Sequence, residues 1–202
     1  YSITTDSGTT GSSATLDLIG MNDIMGTEAA DVFPSLGTSD QYHGGEGNDT
    51  IRAAGGNDIL FGDGGNDTVF GGRGDDTIIA TLDDGDDRYN GSDGNDTLDF
   101  SRISADVTAK LGVGTAFSAQ TGTDSLNTIE NIIGGSGNDA LIGSGQANLL
   151  SGGDGNDILD GRGGKDILTG GTGEDVFIFR KIGHSSPAIA TRDVITDFTQ
   201  GD

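Results

Sequence analysis

The chain has 202 residues, of which 33 are Asp or Glu and 10 are Lys or Arg, so its formal net charge is −23. This balance makes nucleic acids and anionic membrane surfaces poor partners. The lack of Cys excludes disulfides and thiolate–metal sites. No apolar stretch approaches the roughly 18 residues of a membrane span, and no basic segment with an apolar core predicts a signal peptide. With 38 Gly and 5% aromatic residues, a conventional packed globule is also excluded.

The first 25 residues differ from everything that follows. Residues 1–16 are rich in Ser, Thr and Gly, so we interpret residues 1–25 as a linker or an entry strand. Residues 26–99 form a first block of nine-residue units, in which the two earliest units, 26–34 and 35–43, have lost glycines. The aspartates on this nine-residue grid are Asp31, Asp40, Asp49, Asp58, Asp67 and Asp76.

Each regular unit reads Gly-Gly-x-Gly-Asn/Asp-Asp-x-apolar-x, as in residues 44–52 (GGEGNDTIR). Glycines at positions one, two and four allow a positive φ and let carbonyl groups crowd round an ion. Asn at position five is predicted to be left-handed too. Positions seven to nine predict a short strand in which only the eighth side chain points inward. One inward apolar residue in nine makes a core too thin to close the structure unaided.

Two units are needed for one full coil, because six turn residues and three strand residues reverse the chain only once. Neighbouring turns on one edge are then two units apart in sequence and about 4.8 Å apart in space. Calcium takes six to eight oxygens at about 2.3–2.6 Å, so oxygens on opposite sides of the ion lie about 4.6–5.2 Å apart. Rows of carboxylates at the strand spacing therefore predict calcium, whereas magnesium, at about 2.0–2.1 Å, would fit loosely.

Residues 100–133 interrupt the repeat. Val107, Ala109 and Leu111 alternate with polar residues, which indicates a half-buried strand. We expect this segment to continue the same solenoid with wider strands. The repeat resumes over residues 134–178, a second block in which one unit carries Asn148 in place of Asp. Residues 179–202 include apolar positions such as Phe198 and are predicted to cap the end of the solenoid.

The unit resembles the RTX nonapeptide GGxGxDxUx, a calcium-binding repeat of bacterial type I-secreted proteases, lipases, toxins and alginate epimerases. The match covers residues 26–99 and 134–178. Residues 173–179 (GEDVFIF) and 192–202 (RDVITDFTQGD) are similar to the segment after the last repeat, which in the family usually continues past this point. The resemblance implies an all-β fold: a right-handed parallel β-roll, or β-helix solenoid, of stacked nonapeptides in two blocks, with a C-terminal β cap.

The resemblance also implies which atoms bind calcium. In the family, one turn supplies the carbonyls of positions two and four and its Asp. The turn two units later supplies the carbonyls of positions one and three and its own Asp. Five pairs of turns in this sequence follow that pattern: Gly45, Gly47 and Asp49 with Gly62, Gly64 and Asp67; Ala54, Gly56 and Asp58 with Gly71, Arg73 and Asp76; Gly72, Gly74 and Asp76 with Gly91, Asp93 and Asp96; Gly135, Gly137 and Asp139 with Gly152, Asp154 and Asp157; and Gly153, Gly155 and Asp157 with Gly170, Thr172 and Asp175.

Four further pairs of turns depart from the pattern through an insertion, a lost charge or missing glycines. We therefore expect about five strong calcium sites and up to four weaker ones. The pair with the lost charge is expected to bind more weakly or not at all, and the insertion leaves the register of its pair open. The departing pairs are Asp67 with Asp87 across a two-residue insertion; Asn148 with Gly161, Gly163 and Asp166; Asp31 with Asp49; and Asp40 with Asp58.

Two functions of different classes follow. The first is a calcium-triggered folding and secretion module, the C-terminal domain of a larger type I-secreted protein found outside the cell or at its surface, with the secretion machinery as partner. The alternative is a calcium-stabilised adhesion module that binds an acidic polysaccharide, which requires a groove of exposed basic and aromatic residues. No catalytic site is expected in these residues: His43 and His184 are too few and too scattered for an HExxH zinc site, and no GxSxG motif occurs. Any catalytic domain of the parent protein would lie outside them.

Overall fold

The structure, a computed structural model, describes residues 15–19, 21–179 and 192–198. All regular structure within these ranges is β, and they contain no helix long and apolar enough to cross a membrane. The strands are β1 Thr15–Ile19, β2 Met21–Met25, β3 Asp40–His43, β4 Thr50–Gly55, β5 Ile59–Phe61, β6 Thr68–Arg73, β7 Thr77–Ile79, β8 Arg88–Asp93, β9 Thr97–Asp99, β10 Val107–Lys110, β11 Thr115–Ser118, β12 Gly122–Asn127, β13 Asn131–Ile133, β14 Ala140–Ile142, β15 Leu149–Asp154, β16 Ile158–Asp160, β17 Ile167–Thr172, β18 Val176–Phe177 and β19 Val194–Ile195.

The strands alternate between two sheets, so that the chain winds as a solenoid. The ten-stranded sheet has the order β1-β2-β3-β5-β7-β9-β13-β15-β17-β19, and the nine-stranded sheet β18-β16-β14-β10-β11-β12-β8-β6-β4, counted over the described residues. Within each block, neighbours pair in parallel with equivalent positions opposite one another, as Ile51 is opposite Val69 and Leu60 is opposite Ile78. The prediction of an all-β parallel solenoid with a two-unit coil is confirmed.

The core is the double row of eighth-position side chains, as predicted. Tyr42, Leu60, Ile78 and Leu98 are 0% exposed and form one row beneath the ten-stranded sheet. The equivalent row beneath the nine-stranded sheet comes from Ile51, Val69, Tyr89, Leu141 and Leu159, whereas Phe177 at the end is only partly buried. Because each coil buries only about two large side chains, apolar burial at roughly 1.5–3 kcal/mol each has to offset the ordering of some eighteen residues at about 1–2 kcal/mol each.

The turns differ from the prediction at two positions. A positive φ occurs at positions two and four of most regular turns, as at Gly45 (94°) and Gly47 (117°), and even at Ala54 (79°), but not at Gly135 and Gly137. The glycines at position one do not have a positive φ. The prediction of a left-handed Asn at position five is wrong, since none of these Asn residues within the described ranges has a positive φ. Instead, the position-five side chain reaches the next turn: Asn48 Oδ1 accepts from the Asn66 N–H at 2.9 Å. These amides therefore form a side chain-to-backbone ladder along each edge of the solenoid.

Residues 100–133 keep one sheet regular and interrupt the other. On the ten-stranded side, β13 pairs in parallel with both β9 and β15, so that sheet is continuous. On the nine-stranded side, β10, β11 and β12 form an antiparallel meander between β14 and β8. The expected half-buried strand is present as Val107–Lys110. The strands beside it run antiparallel because the connections between them are too short for a crossover.

The two ends carry further strands. β1 and β2 form an antiparallel pair, and β2 then pairs in parallel with β3. At the other end, β19 pairs with β17, and the rings of Phe177 and Phe198 lie 6.4 Å apart. The Ser/Thr-rich residues 1–14 and the loop with His184 lie outside the described residues.

Candidate calcium sites

The aspartates at position six are stacked in rows along both edges of the solenoid. In each row, Oδ1 of one aspartate accepts a hydrogen bond from the backbone N–H of the aspartate one coil earlier. Asp67 Oδ1 accepts from Asp49 N–H at 2.7 Å, and Asp76 Oδ1 accepts from Asp58 N–H at 2.9 Å. These residues are 1–2% exposed, so one carboxylate per turn is held inside the edge. The same hydrogen bond links the other predicted pairs: Asp76 with Asp96, Asp139 with Asp157, and Asp157 with Asp175.

The second oxygen of most of these carboxylates is buried and has no hydrogen-bond partner. A buried, unsatisfied charged oxygen is costly, and native structures keep few of them unless an ion or a proton compensates. A row of such oxygens at one position of successive turns therefore points to a bound cation. The position-six oxygens of this kind are Oδ2 of Asp49, Asp58, Asp67, Asp76, Asp96 and Asp157.

The position-one glycines form the wall of the same space. A Cβ on Gly44 would stand 2.7 Å from Asp49 Oδ2 and 2.1 Å from the Gly62 carbonyl oxygen. On Gly152 it would stand 2.1 Å from Asp157 Oδ2 and 2.4 Å from the Gly170 oxygen. Each glycine thus leaves open a cradle between a free carboxylate oxygen and a carbonyl of the next coil. This steric need, rather than a positive φ, explains glycine at position one in these turns, whereas the turn of Asp58 has Ala53 at that position.

Burial raises the pKa of these carboxyl groups because desolvation penalises the charged form. The pKa of Asp67 and of Asp76 rises to about 7 and that of Asp58 to about 6, and neighbouring carboxylates add to the shift. The backbone N–H bonds act in the opposite direction but are too weak to cancel desolvation. At neutral pH the rows therefore contain charge that the protein alone does not neutralise.

The oxygen donors in the turns suit a hard cation. Carboxylate and backbone carbonyl oxygens are the ligands that calcium prefers. Among the described residues, no group of three or more His, Cys, Asp or Glu side chains could hold a metal by itself. The predicted sites do not need such a group, because each takes two aspartates from stacked turns and its other ligands from backbone carbonyl groups.

The departing pairs are also stacked, with differences in detail. Asp67 N–H donates to Asp87 Oδ1 at 2.7 Å, so the two-residue insertion is absorbed before position six. Asn148 Oδ1 instead accepts from the N–H of Ser144 in its own turn at 2.7 Å. In the worn turn of Asp31, Oδ2 accepts from the N–H of Thr27 at 2.7 Å. These internal bonds satisfy oxygens that remain free in most of the regular turns. Among the regular turns, Asp139 is an exception, since its Oδ2 likewise accepts from the N–H of Gly135 at 2.7 Å.

Three acidic residues that the sequence analysis missed continue the rows. Asp124 Oδ1 accepts from Asp87 N–H, Glu130 Oε2 from Asp96 N–H, and Asp193 Oδ1 from Asp166 N–H. Asp124 belongs to a disguised unit, residues 119–127, that keeps only Gly at position four, Asp at position six and Leu126 at position eight. That reduced pattern was the available signal. Glu130 and Asp193 have no glycine at position four.

The side chain of His43 is partly buried, with 22% of its surface exposed. Its ring stacks on Phe61 with centroids 4.2 Å apart, and Nδ1 lies 3.3 Å from Asp63 Oδ2.

Stacked glycine turns with buried, unpartnered carboxylates define a class of protein: calcium-binding parallel β-solenoids. Two family matches agree with this. The RTX calcium-binding nonapeptide repeat, in four copies, matches residues 39–78, and the C-terminal domain of the M10 serralysin peptidases matches residues 89–202. Since the second match covers more than half of the chain, the chain belongs to the serralysin C-terminal family. Neither matched region is a catalytic domain. Comparison with curated proteins gives no match.

Proposed function

We propose that this calcium-binding RTX module folds when it binds calcium, and so couples folding to the calcium concentration of its surroundings. The observation that supports this is the row of buried Oδ2 atoms without partners, at Asp49, Asp58, Asp67 and Asp76. Without a cation these groups either stay charged in a low-dielectric edge or take up protons. The metal-free coil would therefore be destabilised at neutral pH by the residues that define its turns.

The expected size of the effect is large relative to the core. When the free calcium concentration is 100 times the dissociation constant of a site, binding there stabilises the folded state by about 2.7 kcal/mol. The summed stabilisation from five such sites is comparable to the whole net stability of an ordinary domain, about 5–15 kcal/mol. A bound calcium ion would neutralise two stacked aspartates and complete the coordination of the carbonyl groups beside them.

We propose the five regular pairs of turns as the stronger sites, with the carbonyl ligands given by the family pattern. The two blocks, residues 26–99 and 134–178, would then fold around separate sets of ions and be joined through residues 100–133. The pairs of Asp31 and Asn148 would be weaker, because the turn of Asp31 has lost glycines of the repeat and Asn148 carries no charge. Residues 1–25 would serve as the entry to the coil and residues 179–202 as its cap.

Calcium-dependent folding suits export through a type I secretion system. Extracellular calcium modules work at about 10⁻⁴–10⁻³ M, so the chain would stay unfolded at the low calcium concentration inside a cell and fold outside or at the cell surface. The chain would then act as the folding and secretion domain of a larger protein whose activity resides elsewhere. The lack of cysteines is compatible with this route.

The polysaccharide alternative is not favoured by the placement of the arginines. Arg52 lies over the ring of Phe70 on the nine-stranded sheet, at 4.9 Å, and Arg102 lies over Phe61 on the ten-stranded sheet, at 4.8 Å. These cation–π pairs lie on opposite sheets, so they do not line one groove.

The test is a far-UV circular dichroism titration that starts from chelated protein at neutral pH. We expect a coil spectrum that converts to β on addition of calcium but not of magnesium at the same concentration. A β spectrum that is unchanged by chelator would refute the folding proposal. An export assay with and without residues 134–202 would test the secretion role separately.

A further inference from the structure

The turn at residues 80–87 is unlike the others because it contains two extra residues. Its fourth position is still Gly85 (φ 99°), and the Asp84 carbonyl accepts from Gly65 N–H as a third-position carbonyl does elsewhere. The next turn on the same edge is the disguised unit, in which Gly122 lies directly over the Gly85 carbonyl. Asp84 and Thr121 are therefore the third-position residues of adjacent turns.

Third-position side chains normally point into solvent, but here both are buried. Asp84 is 1% exposed and Thr121 is 0% exposed, whereas the third-position residues Glu46, Asp93 and Asp154 are exposed. The Asp84 side chain is fixed by Thr81 N–H, which donates to its Oδ2 at 2.8 Å. The two extra residues give this turn the length to fold its third side chain inward.

Three buried side-chain oxygens from these two turns have no hydrogen-bond partner: Asp84 Oδ1, Thr121 Oγ1 and Asp124 Oδ2. A regular turn leaves at most one such atom. Asp87 lies among them, but its Oδ1 accepts from Asp67 N–H and its Oδ2 from the Tyr89 hydroxyl, so it has no free oxygen.

Hydrogen bonds place the three aspartates next to one another. The Tyr89 hydroxyl lies between Asp84 and Asp87, 3.4 Å from Asp84 Oδ2 and in hydrogen-bond contact with Asp87 Oδ2. Asp124 Oδ1 accepts from Asp87 N–H at 3.1 Å, and Asp83 N–H donates to the Gln120 carbonyl at 2.7 Å. The three free oxygens therefore belong to two turns that are fixed to each other.

We propose that the free oxygens of Asp84, Thr121 and Asp124 face one space between these two turns and form a cation site of a second kind, held by side-chain oxygens rather than mainly by carbonyls. Its ligand would be a hard divalent cation, calcium in an extracellular medium, because carboxylate and hydroxyl oxygens are hard donors. The site would tie the insertion, which lies between the two family matches at residues 39–78 and 89–202, to the meander strand β12. The inference shares with the proposed function the premise that the chain binds calcium, but it concerns side chains that the predicted ligand sets do not contain.

Counting bound ions in matched variants tests the proposal. Native mass spectrometry of the full chain in calcium should show one ion fewer for Asp84→Asn and for Asp124→Asn than for the unaltered chain. Asp86→Asn is the control, because Asp86 is exposed in the same turn and Asn can still accept the hydrogen bond from Thr123 N–H. It removes one charge and should leave the count unchanged. Equal counts in all variants would overturn the proposal and would assign the free oxygens to shared protons instead.

A measurement without any substitution covers the case in which a variant does not fold. Crystals of the unaltered chain grown in calcium, or soaked in terbium, should give an anomalous peak bounded by the Asp84, Thr121 and Asp124 oxygens. Anomalous peaks at the regular turns with none at this position would refute this site and leave the proposed function intact. No peaks at any turn would refute both.

Discussion

Replacing Gly152 by alanine tests the cradle that the position-one glycines form. The φ of Gly152 is not in the left-handed region, so the substitution does not strain the backbone. Its Cβ, however, would stand 2.1 Å from Asp157 Oδ2 and 2.4 Å from the Gly170 carbonyl oxygen, closer than real contacts allow. Both oxygens belong to the site predicted between the turns of Asp157 and Asp175.

The loss should have two parts. Overpacking costs about 1–3 kcal/mol, and loss of one calcium site costs about 2.7 kcal/mol more when calcium is at 100 times the dissociation constant. The matched control is Gly145→Ala, since a Cβ there would meet nothing within 4 Å. That change should be neutral or stabilise by about 0.4–1 kcal/mol through the unfolded chain.

Urea denaturation in saturating calcium measures both variants, and equilibrium dialysis counts their ions. We expect Gly152→Ala to lose stability and one ion, and Gly145→Ala to lose neither. If Gly152→Ala binds as many ions as the control and unfolds at the same urea concentration, the space beside Asp157 is not a calcium cradle.

Three further predictions concern charge, pH and the core. The pKa of Asp67 and of Asp76 is raised from 3.8 to about 7 in the metal-free fold, so this fold binds protons more tightly than the unfolded chain and loses stability as pH rises from about 4 to about 7. Chelated protein should therefore show more β signal by circular dichroism at pH 5 than at pH 8, whereas the apparent calcium affinity should rise from pH 5 to pH 8. The opposite trends would contradict the assignment of these carboxylates to calcium sites. Asp76→Asn should weaken calcium binding about tenfold or more by calorimetry, about 1.4 kcal/mol per decade, whereas Asp75→Asn, which keeps the acceptor for Asn95 N–H, should not. Ile78→Ala should lower the free energy of unfolding in calcium by about 2–5 kcal/mol, because Ile78 is 0% exposed. A decrease below about 1 kcal/mol would show that the apolar core contributes less to stability than this account requires.

The period of nine was enough to predict the solenoid, its two-unit coil and its core. Apolar side chains at one position in nine can all be buried only if equivalent positions stack, as Leu60 stacks on Ile78. The same logic predicts that Asp49 stacks on Asp67 and Asp58 on Asp76, as the structure has them.

Other features depend on partners that the sequence pattern does not specify. The role of Asn48 could not be predicted from its conformational preference, because it is set by the N–H of Asn66 one coil away. Asp124 was missed because its unit keeps so few of the repeat residues, and Asp193 because it follows Asp166 by 27 residues rather than by the 18 that separate regular pairs. The hydrogen bonds between paired strands join backbone groups, so they tolerate almost any residue at the outward positions.

Small-angle X-ray scattering at neutral pH tests most directly whether ions replace the missing core. An unfolded chain of this length should have a radius of gyration of roughly 48 Å, and a compact one roughly 17 Å, or somewhat more for an elongated solenoid. We predict a value near the unfolded limit in chelator and near the compact limit in calcium, with the transition following ion uptake. A compact particle in chelator would show that the thin core suffices without bound ions.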